Sequence, residues 1–152
     1  MKRSISLFLL VALLLTTFSV KCLASEITEE YVVERFEDGS YMTERLVSSL
    51  ARASGTKSGT KNKVYYNGNG EAEWKATVSG TFTYTGSSST CTSASCSVTI
   101  YNSDWYTISK SSTKSGNTAT AYVTMGEKLL GVKVDEVSTN VSLKCDANGN
   151  LS

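Results

Sequence analysis

The sequence predicts an all-β protein, an antiparallel β-sandwich with an N-terminal hairpin arm after a signal peptide. Apolar and polar residues alternate strictly over the segment 74–85, and turns rich in Gly and Asn recur at short intervals. Residues beyond 24 contain no convincing long amphipathic helix, and the chain has no proline. We expect roughly six to eight strands, and an immunoglobulin-like topology is one alternative, although its Cys…Trp…Cys order fits only loosely.

The first 24 residues have the three parts of a secretory signal peptide. Lys2 and Arg3 supply the positive start, residues 5–20 are almost wholly apolar, and Cys22 and Ala24 fit a cleavage site. The apolar run is shorter than the ~20 residues of a membrane span. We therefore expect a secreted, extracellular protein without a stable membrane anchor after cleavage.

Cleavage changes the charge of the protein. The loss of Lys2, Arg3 and Lys21 takes the formal net charge from +1 to −2. Acidic residues concentrate in the segment 25–50, where seven oppose two arginines. No basic surface of the kind that binds nucleic acid is expected.

The exported chain divides into three predicted parts. Residues 25–53 form an acidic hairpin arm, because Asp38-Gly39 separates two β-prone runs. A short helical turn over 44–53 is an alternative. Residues 54–60, Ser-Gly-Thr-Lys-Ser-Gly-Thr, are predicted as a flexible linker. Residues 61–152 are predicted to form the sandwich domain.

One strand of that domain is well defined. Six residues at every second position share a face and should be buried: Trp74, Ala76, Val78, Gly80, Phe82 and Tyr84. A polar stretch follows, in which ten of the fifteen residues 85–99 are Ser or Thr. Cys91, Cys96 and Val98 indicate that this stretch returns to the sheet.

Three cysteines remain after cleavage, namely Cys91, Cys96 and Cys145. Outside the cytosol they allow one disulfide and one free thiol. Cys91–Cys145 closes the longest loop, whereas residue parity favours Cys96–Cys145, and Cys91–Cys96 is a third option. A zinc site is not expected, because the chain has no histidine.

Several segments occur together in an order that resembles a family of small secreted proteins of uncharacterised function from Gram-positive bacteria, many of them gut anaerobes. The segments are 37–41, 54–59, 80–84, 90–95, 114–117 and 143–152. The family pattern has cysteines where Cys91 and Cys145 stand. The resemblance therefore implies a Cys91–Cys145 disulfide with Cys96 as the extra thiol. It implies no activity.

Enzymatic function is not expected. Without histidine, catalytic groups built on imidazole are excluded. The nearest carboxylate pairs for a hydrolase are Glu71 with Glu73 and Asp135 with Glu136, and both fit solvated turns better than a cleft.

No catalytic residue, cofactor or metal is therefore predicted. Asp146, Asn148 and Asn150 place oxygens as calcium loops do, but no distal acid follows them, so a terminal turn is expected.

The sequence favours a secreted, non-catalytic binding or interaction protein with a protein or glycan ligand. Exposed aromatic residues would form the recognition surface, and the candidates are Tyr106, Trp105, Tyr122 and Tyr65. An exported antimicrobial or toxin-like effector is the first alternative, and a carboxylate-based hydrolase is the second. The binding hypothesis predicts a contiguous exposed aromatic patch.

Overall fold

The computed structural model describes residues 27–48 and 55–152, so the predicted signal peptide lies outside the described residues. This part of the chain consists of strands and turns, without a helix. The strands are β1 (Ile27–Arg35), β2 (Tyr41–Ser48), β3 (Gly55–Tyr66), β4 (Ala72–Tyr84), β5 (Ser89–Ile100), β6 (Trp105–Ser115), β7 (Thr118–Leu129) and β8 (Val132–Lys144).

The strands form two antiparallel sheets, a five-stranded one ordered β1 to β5 and a three-stranded one ordered β6 to β8. Their inner faces share one hydrophobic core, which confirms the predicted sandwich. Within each sheet, every pairing joins strands that are consecutive in the chain, and the connection from β5 to β6 passes from one sheet to the other. The immunoglobulin-like alternative is not the topology adopted, because that fold needs Greek-key connections.

The predicted hairpin is present, as β1 and β2. Gly39 has a φ of +86°, which a turn at this position requires. The Asp38 carboxylate accepts hydrogen bonds from the Ser40 N–H at 2.9 Å and the Ser40 hydroxyl at 2.6 Å. These bonds lower the pKa of Asp38. The hairpin is not a separate arm, since β2 pairs with β3 along the edge of the sheet.

The flexible linker predicted over residues 54–60 is wrong for residues 55–60, which form the first half of β3. This half pairs with β4 from Gly55 opposite Tyr84 to Thr60 opposite Ser79. Ser58 and Thr81 also share a hydrogen bond of 2.9 Å. Strand pairing thus orders a segment whose Gly and Ser content alone predicts a coil.

The core follows the alternation predicted for β4. Trp74, Ala76, Val78 and Phe82 are fully buried. The second sheet packs against them with small and medium side chains, namely Ala119, Ala121, Val123, Met125, Val141 and Leu143. Trp105 of β6 also belongs to this core, and its ring centroid lies 6.0 Å from that of Trp74 on the other sheet, so both sheets contribute large and small side chains.

One side of the sandwich is closed by bonds between β5 and β6. The Lys114 ammonium donates to the Thr92 carbonyl at 2.7 Å, and the Ser112 hydroxyl donates to the Ala94 carbonyl at 3.3 Å. The Cys91 N–H adds a bond of 2.7 Å to the Gly116 carbonyl. The two sheets are therefore joined by polar contacts at this corner as well as by the core.

The C-terminal residues contribute Leu151 to the hydrophobic core. Leu151 is buried and pairs with Cys145 through an isolated bridge. A Cβ at Gly59 would lie 2.3 Å from Cδ1 of Leu151, so any other residue at 59 would require the Leu151 side chain to shift.

Candidate ligand-binding surface

Two of the four aromatic residues predicted to be exposed are in the core. Trp105 and Tyr65 are 4% and 5% exposed, so the prediction is wrong for both. The Tyr65 ring stacks on Trp74 with centroids 5.3 Å apart, and meets Trp105 edge-on at 5.3 Å. Its hydroxyl donates to the Ser40 hydroxyl at 3.0 Å. Burial raises the pKa of Tyr65, which keeps it a neutral donor.

Tyr106 and Tyr122 lie on the outer face of the second sheet, but they do not form a patch. The Tyr106 ring covers Gly126, where a Cβ would be 2.7 Å from it, and the Lys128 ammonium lies 4.5 Å from the ring centroid. Tyr122 is 47% exposed. Its cross-strand partners are polar, Ser111 and Asn140.

A contiguous group of tyrosines lies instead on the outer face of the five-stranded sheet. Tyr41 and Tyr66 are cross-strand partners, and their rings stack with centroids 4.9 Å apart at an interplanar angle of 10°. Tyr101 follows β5 and is 51% exposed. We call Tyr41, Tyr66 and Tyr101 the tyrosine surface.

A depression of about 190 Å³ crosses the sheet next to these rings. Residues from β1 to β4 and the end of β5 line it: Glu30, Arg45, Asn62, Val64, Tyr66, Ala72, Lys75 and Tyr101. The antiparallel register brings them together, because Glu30 pairs with Arg45 and Arg45 with Asn62. The cross-strand pairing continues to β4, where Thr77 lies opposite Asn62.

The polar groups in the depression are held in place by their neighbours. Glu30 accepts a hydrogen bond of 3.0 Å from the Thr43 hydroxyl. Asn62 accepts one of 2.8 Å from the Thr77 hydroxyl through its carbonyl oxygen, which leaves its amide N–H groups as donors. Burial, and then the charge of Glu30, raise the pKa of Tyr66, so its hydroxyl stays protonated.

Cations outnumber acids around the tyrosine surface. The Lys75 ammonium lies 5.9 Å from the Tyr101 centroid, and the Arg35 guanidinium lies 5.6 Å from the Tyr41 centroid. Arg45 adds a third cation, whereas Glu30 is the carboxylate lining the depression. This part of the acidic hairpin is thus locally basic.

Glu44 precedes Arg45 in the sequence, but its side chain lies on the opposite face of the sheet from the tyrosine surface. Glu44 lies on the inner face of the sheet, 3.0 Å from Lys61 and 3.4 Å from Lys63. Tyr31 donates to it at 3.3 Å. Burial opposes ionisation, but the two lysines hold the pKa of Glu44 below its usual range. Two ion pairs thus link β2 to β3 on the inner face of the sheet.

The same outer face continues as a surface of hydroxyl groups. A second, larger depression of about 410 Å³ is lined there by Val47, Ser48, Ser58, Gly59, Thr60, Ser79, Gly80, Thr81, Ser93 and Ser95. Along β3, the outward residues between Tyr66 and Ser58 span roughly 27 Å at strand spacing. The face is therefore long, open and polar, with aromatic rings at one end.

The carboxylate pairs considered for hydrolysis have structural partners. The Asn67 amide donates to Glu71 at 3.0 Å and to Glu73 at 2.7 Å. Glu136 forms an ion pair with Lys133 on the exposed part of β8. The expected solvated turn is wrong for Glu73, which is buried and whose Oε2 has no hydrogen-bond partner.

The C-terminal turn uses its polar groups internally. Asp146 accepts hydrogen bonds from the Asn150 side chain at 2.8 Å, the Asn150 N–H at 2.9 Å and the Asn148 N–H at 2.8 Å. Bonds from Asn150 and Asn148 lower its pKa. Within residues 27–48 and 55–152, no three His, Cys, Asp or Glu side chains are grouped to hold a metal ion. No helix in the same ranges is long and apolar enough to cross a membrane.

Of the residues that the structure describes, Cys91, Cys96 and Cys145 are free thiols, so the disulfide expected from the sequence is not formed in the structure. Cys91 and Cys145 are both buried near one turn, since their N–H groups donate to the consecutive carbonyls of Gly116 and Asn117. Burial raises the pKa of both thiols, and the nearby Cys91 thiol contributes to the shift at Cys145.

Residue parity alone gives the wrong relation between Cys91 and Cys96. A bulge shifts the register so that Thr81 pairs with Ser93 and Phe82 with Cys91. Both cysteines therefore face the core, Cys91 fully buried and Cys96 partly buried opposite Val78.

Comparisons with known proteins identify no family. No family model and no curated protein matches the chain. Among solved structures, it is similar to the crystal structure of the hypothetical protein lmo2686 from Listeria monocytogenes EGD-e, with a TM-score of 0.42 and 17% sequence identity. The match covers 82% of this chain and 90% of that chain.

Proposed function

We propose that the chain is a secreted, non-catalytic binding protein that takes a glycan on the outer face of its five-stranded sheet. The observation that carries this proposal is the tyrosine surface beside a depression lined by Arg45, Asn62, Glu30 and Lys75. Aromatic rings pack against the apolar faces of sugar rings, and planar polar side chains pair with hydroxyl groups.

The shape of the surface favours an extended ligand. Pockets that enclose small molecules have volumes of about 300–1,000 Å³, whereas the depression at the tyrosine surface has about 190 Å³. It opens onto the outer face that carries Asn62, Thr60 and Ser58 along β3. A chain of sugar units lying along the strands would use the rings at one end and the hydroxyl groups beyond them.

The test is a glycan array followed by calorimetry on the best ligand. Tyr101→Ala is expected to weaken binding about tenfold, the equivalent of ~1.4 kcal/mol, because the ring contact is lost. Tyr101 is 51% exposed, so the fold should not change. The matched control is Tyr122→Ala, on the outer face of the other sheet, which should leave affinity unchanged.

Two results would contradict the proposal. Failure of the protein to bind any glycan on the array excludes a glycan ligand. Equal losses in the Tyr101 and Tyr122 variants place the binding surface elsewhere.

We further propose that export is accompanied by a Cys91–Cys145 disulfide. Two thiols would lose two electrons and two protons to an oxidant, such as a thiol–disulfide oxidoreductase outside the cytosol. The position of both residues at the turn 116–117 supports this pairing. Because burial raises both pKa values, few thiolates exist in the folded protein, so the bond is expected to form during folding.

Mass spectrometry of the secreted protein after alkylation tests the pairing. We expect one alkylated cysteine, Cys96, without reductant and three with reductant. A Cys96→Ser variant should show none without reductant. Three alkylated thiols in the unreduced protein, or alkylation of Cys91 instead of Cys96, would exclude the pairing.

A further inference from the structure

The turn between β7 and β8 exposes a group of apolar side chains. Leu129, Leu130, Val132 and Val134 are 63%, 99%, 67% and 53% exposed. Leu129 and Val132 are cross-strand partners, and Leu130 and Gly131 form the two-residue connection between them. We call residues 129–132 the hairpin apex.

Leucine at position 130 destabilises the turn between β7 and β8. Leu130 has a φ of +52° and Gly131 a φ of +82°. Two-residue hairpin turns with both φ values positive favour Asn-Gly, and a leucine in this conformation costs about 1 kcal/mol or more. Leu130 has almost its whole side chain in water, so no packing offsets this cost. Strain combined with apolar exposure indicates a contact outside the chain.

We propose that the hairpin apex inserts into the interfacial region of a phospholipid membrane. The apex is the end of a two-stranded hairpin, and Leu130 at that end is 99% exposed. An exposed leucine at the end of a hairpin suits the apolar layer of a fluid membrane, because lipid chains surround it without a preformed pocket.

The residues behind the apex fit the polar part of a membrane surface. Lys128 and Lys133 are cross-strand partners one register step behind Leu129 and Val132, and Tyr106 packs under Lys128. Two residues of strand place these lysines roughly 7 Å behind the end of the turn. Interfacial segments enter the headgroup and acyl boundary by about 5–10 Å, so the lysines would meet the phosphates.

The acidic residues set the depth of insertion. Glu127 and Asp135 pair one step further back, and Glu136 is bound to Lys133. Asp104 is close as well, since its carbonyl accepts the Lys128 N–H at 2.8 Å. Carboxylates at this level oppose deeper entry among anionic headgroups, which makes the insertion shallow.

Leu130→Asn tests the proposal without threatening the fold, because Asn tolerates a positive φ better than Leu. Co-sedimentation with phosphatidylcholine–phosphatidylglycerol vesicles should show binding by the native protein and a loss of about 10- to 100-fold in this variant. Tyr122→Ser, which removes a side chain that is 47% exposed on the same sheet but away from the apex, should bind as the native protein does. Lys128→Gln should weaken binding to these vesicles more than to pure phosphatidylcholine.

A second variant measures insertion directly. Trp74 and Trp105 are buried, so a tryptophan introduced by Leu130→Trp reports from the apex. Its fluorescence should shift to shorter wavelength on vesicles and be quenched by brominated acyl chains. Unchanged emission, or equal vesicle binding by the native and Leu130→Asn proteins, would overturn the proposal. A dimer that requires Leu130 and forms without vesicle binding would assign the apex to a second copy of the chain, and would also overturn it.

Discussion

Trp74→Ala is expected to lower the free energy of unfolding by about 3–5 kcal/mol. Trp74 is fully buried, stacks on Tyr65 at 5.3 Å and lies 6.0 Å from Trp105. Truncation to alanine would leave a cavity beside the rings of Tyr65 and Trp105, which belong to different sheets. Domains of this size are stable by about 5–15 kcal/mol, so the loss would be a large part of the total. Urea unfolding followed by circular dichroism measures it.

Trp74→Phe is the matched control. The indole Nε1 of Trp74 is buried without a hydrogen-bond partner, so phenylalanine removes an unpaired donor while it keeps most of the ring contact. We expect a loss below about 1.5 kcal/mol. Similar losses for the Ala and Phe variants would mean that the ring stacking does not carry the stability of this region. If the alanine variant does not fold at all, the phenylalanine variant still tests the packing.

Gly149→Ala is expected to destabilise the protein by about 2–4 kcal/mol, the sum of backbone strain and a steric clash. Gly149 has a φ of +84°, and a Cβ there would be 2.6 Å from the ring of Tyr84. The effect should also loosen the C-terminal residues, because the Gly149 N–H donates to the Asp146 carbonyl at 3.1 Å.

Gly131→Ala separates the two contributions to this loss. Gly131 has a nearly identical φ of +82°, but nothing lies within 4 Å of its Cβ position. Its substitution should cost about 1 kcal/mol, from strain alone. Thermal unfolding of both variants gives the comparison. Equal losses at the two positions would show that Tyr84 moves aside and that the close contact at Gly149 is unimportant.

The regular parts of this fold could be predicted from the sequence. The alternation from Trp74 to Tyr84 predicts a half-buried strand and its buried face, and Asp38-Gly39 predicts the first hairpin. Residues 55–60 could not be assigned, because their pairing with β4, together with the pairing of Thr60 with β2, orders them and no local propensity does so. A composition rich in Gly and Ser identifies segments that can be flexible, but pairing with a neighbouring strand decides whether they are ordered.

The binding surface was harder to predict, because it depends on which of two adjacent residues faces outward. The sequence predicts an exposed Tyr65 in the run Lys63-Val64-Tyr65-Tyr66. The structure buries Tyr65, since its ring lies on the inner face at this end of β3, next to lysines paired with Glu44. Regular pairing continued from the turn at 67–70 would place Tyr65 opposite Glu73, whereas a register shift between Tyr65 and Tyr66 places it opposite the buried Trp74.

The sequential order of the strands has a consequence for how the chain finds its structure. Each pairing joins strands that are consecutive in the chain, and the entropy lost on closing a loop grows only with the logarithm of its length. Neighbouring hairpins can therefore zip one after another from the N-terminus, as the polypeptide emerges. Contacts distant in sequence are needed late, when the two sheets dock and Leu151 reaches Gly59. A topology of this kind reduces the slow search that usually delays all-β proteins.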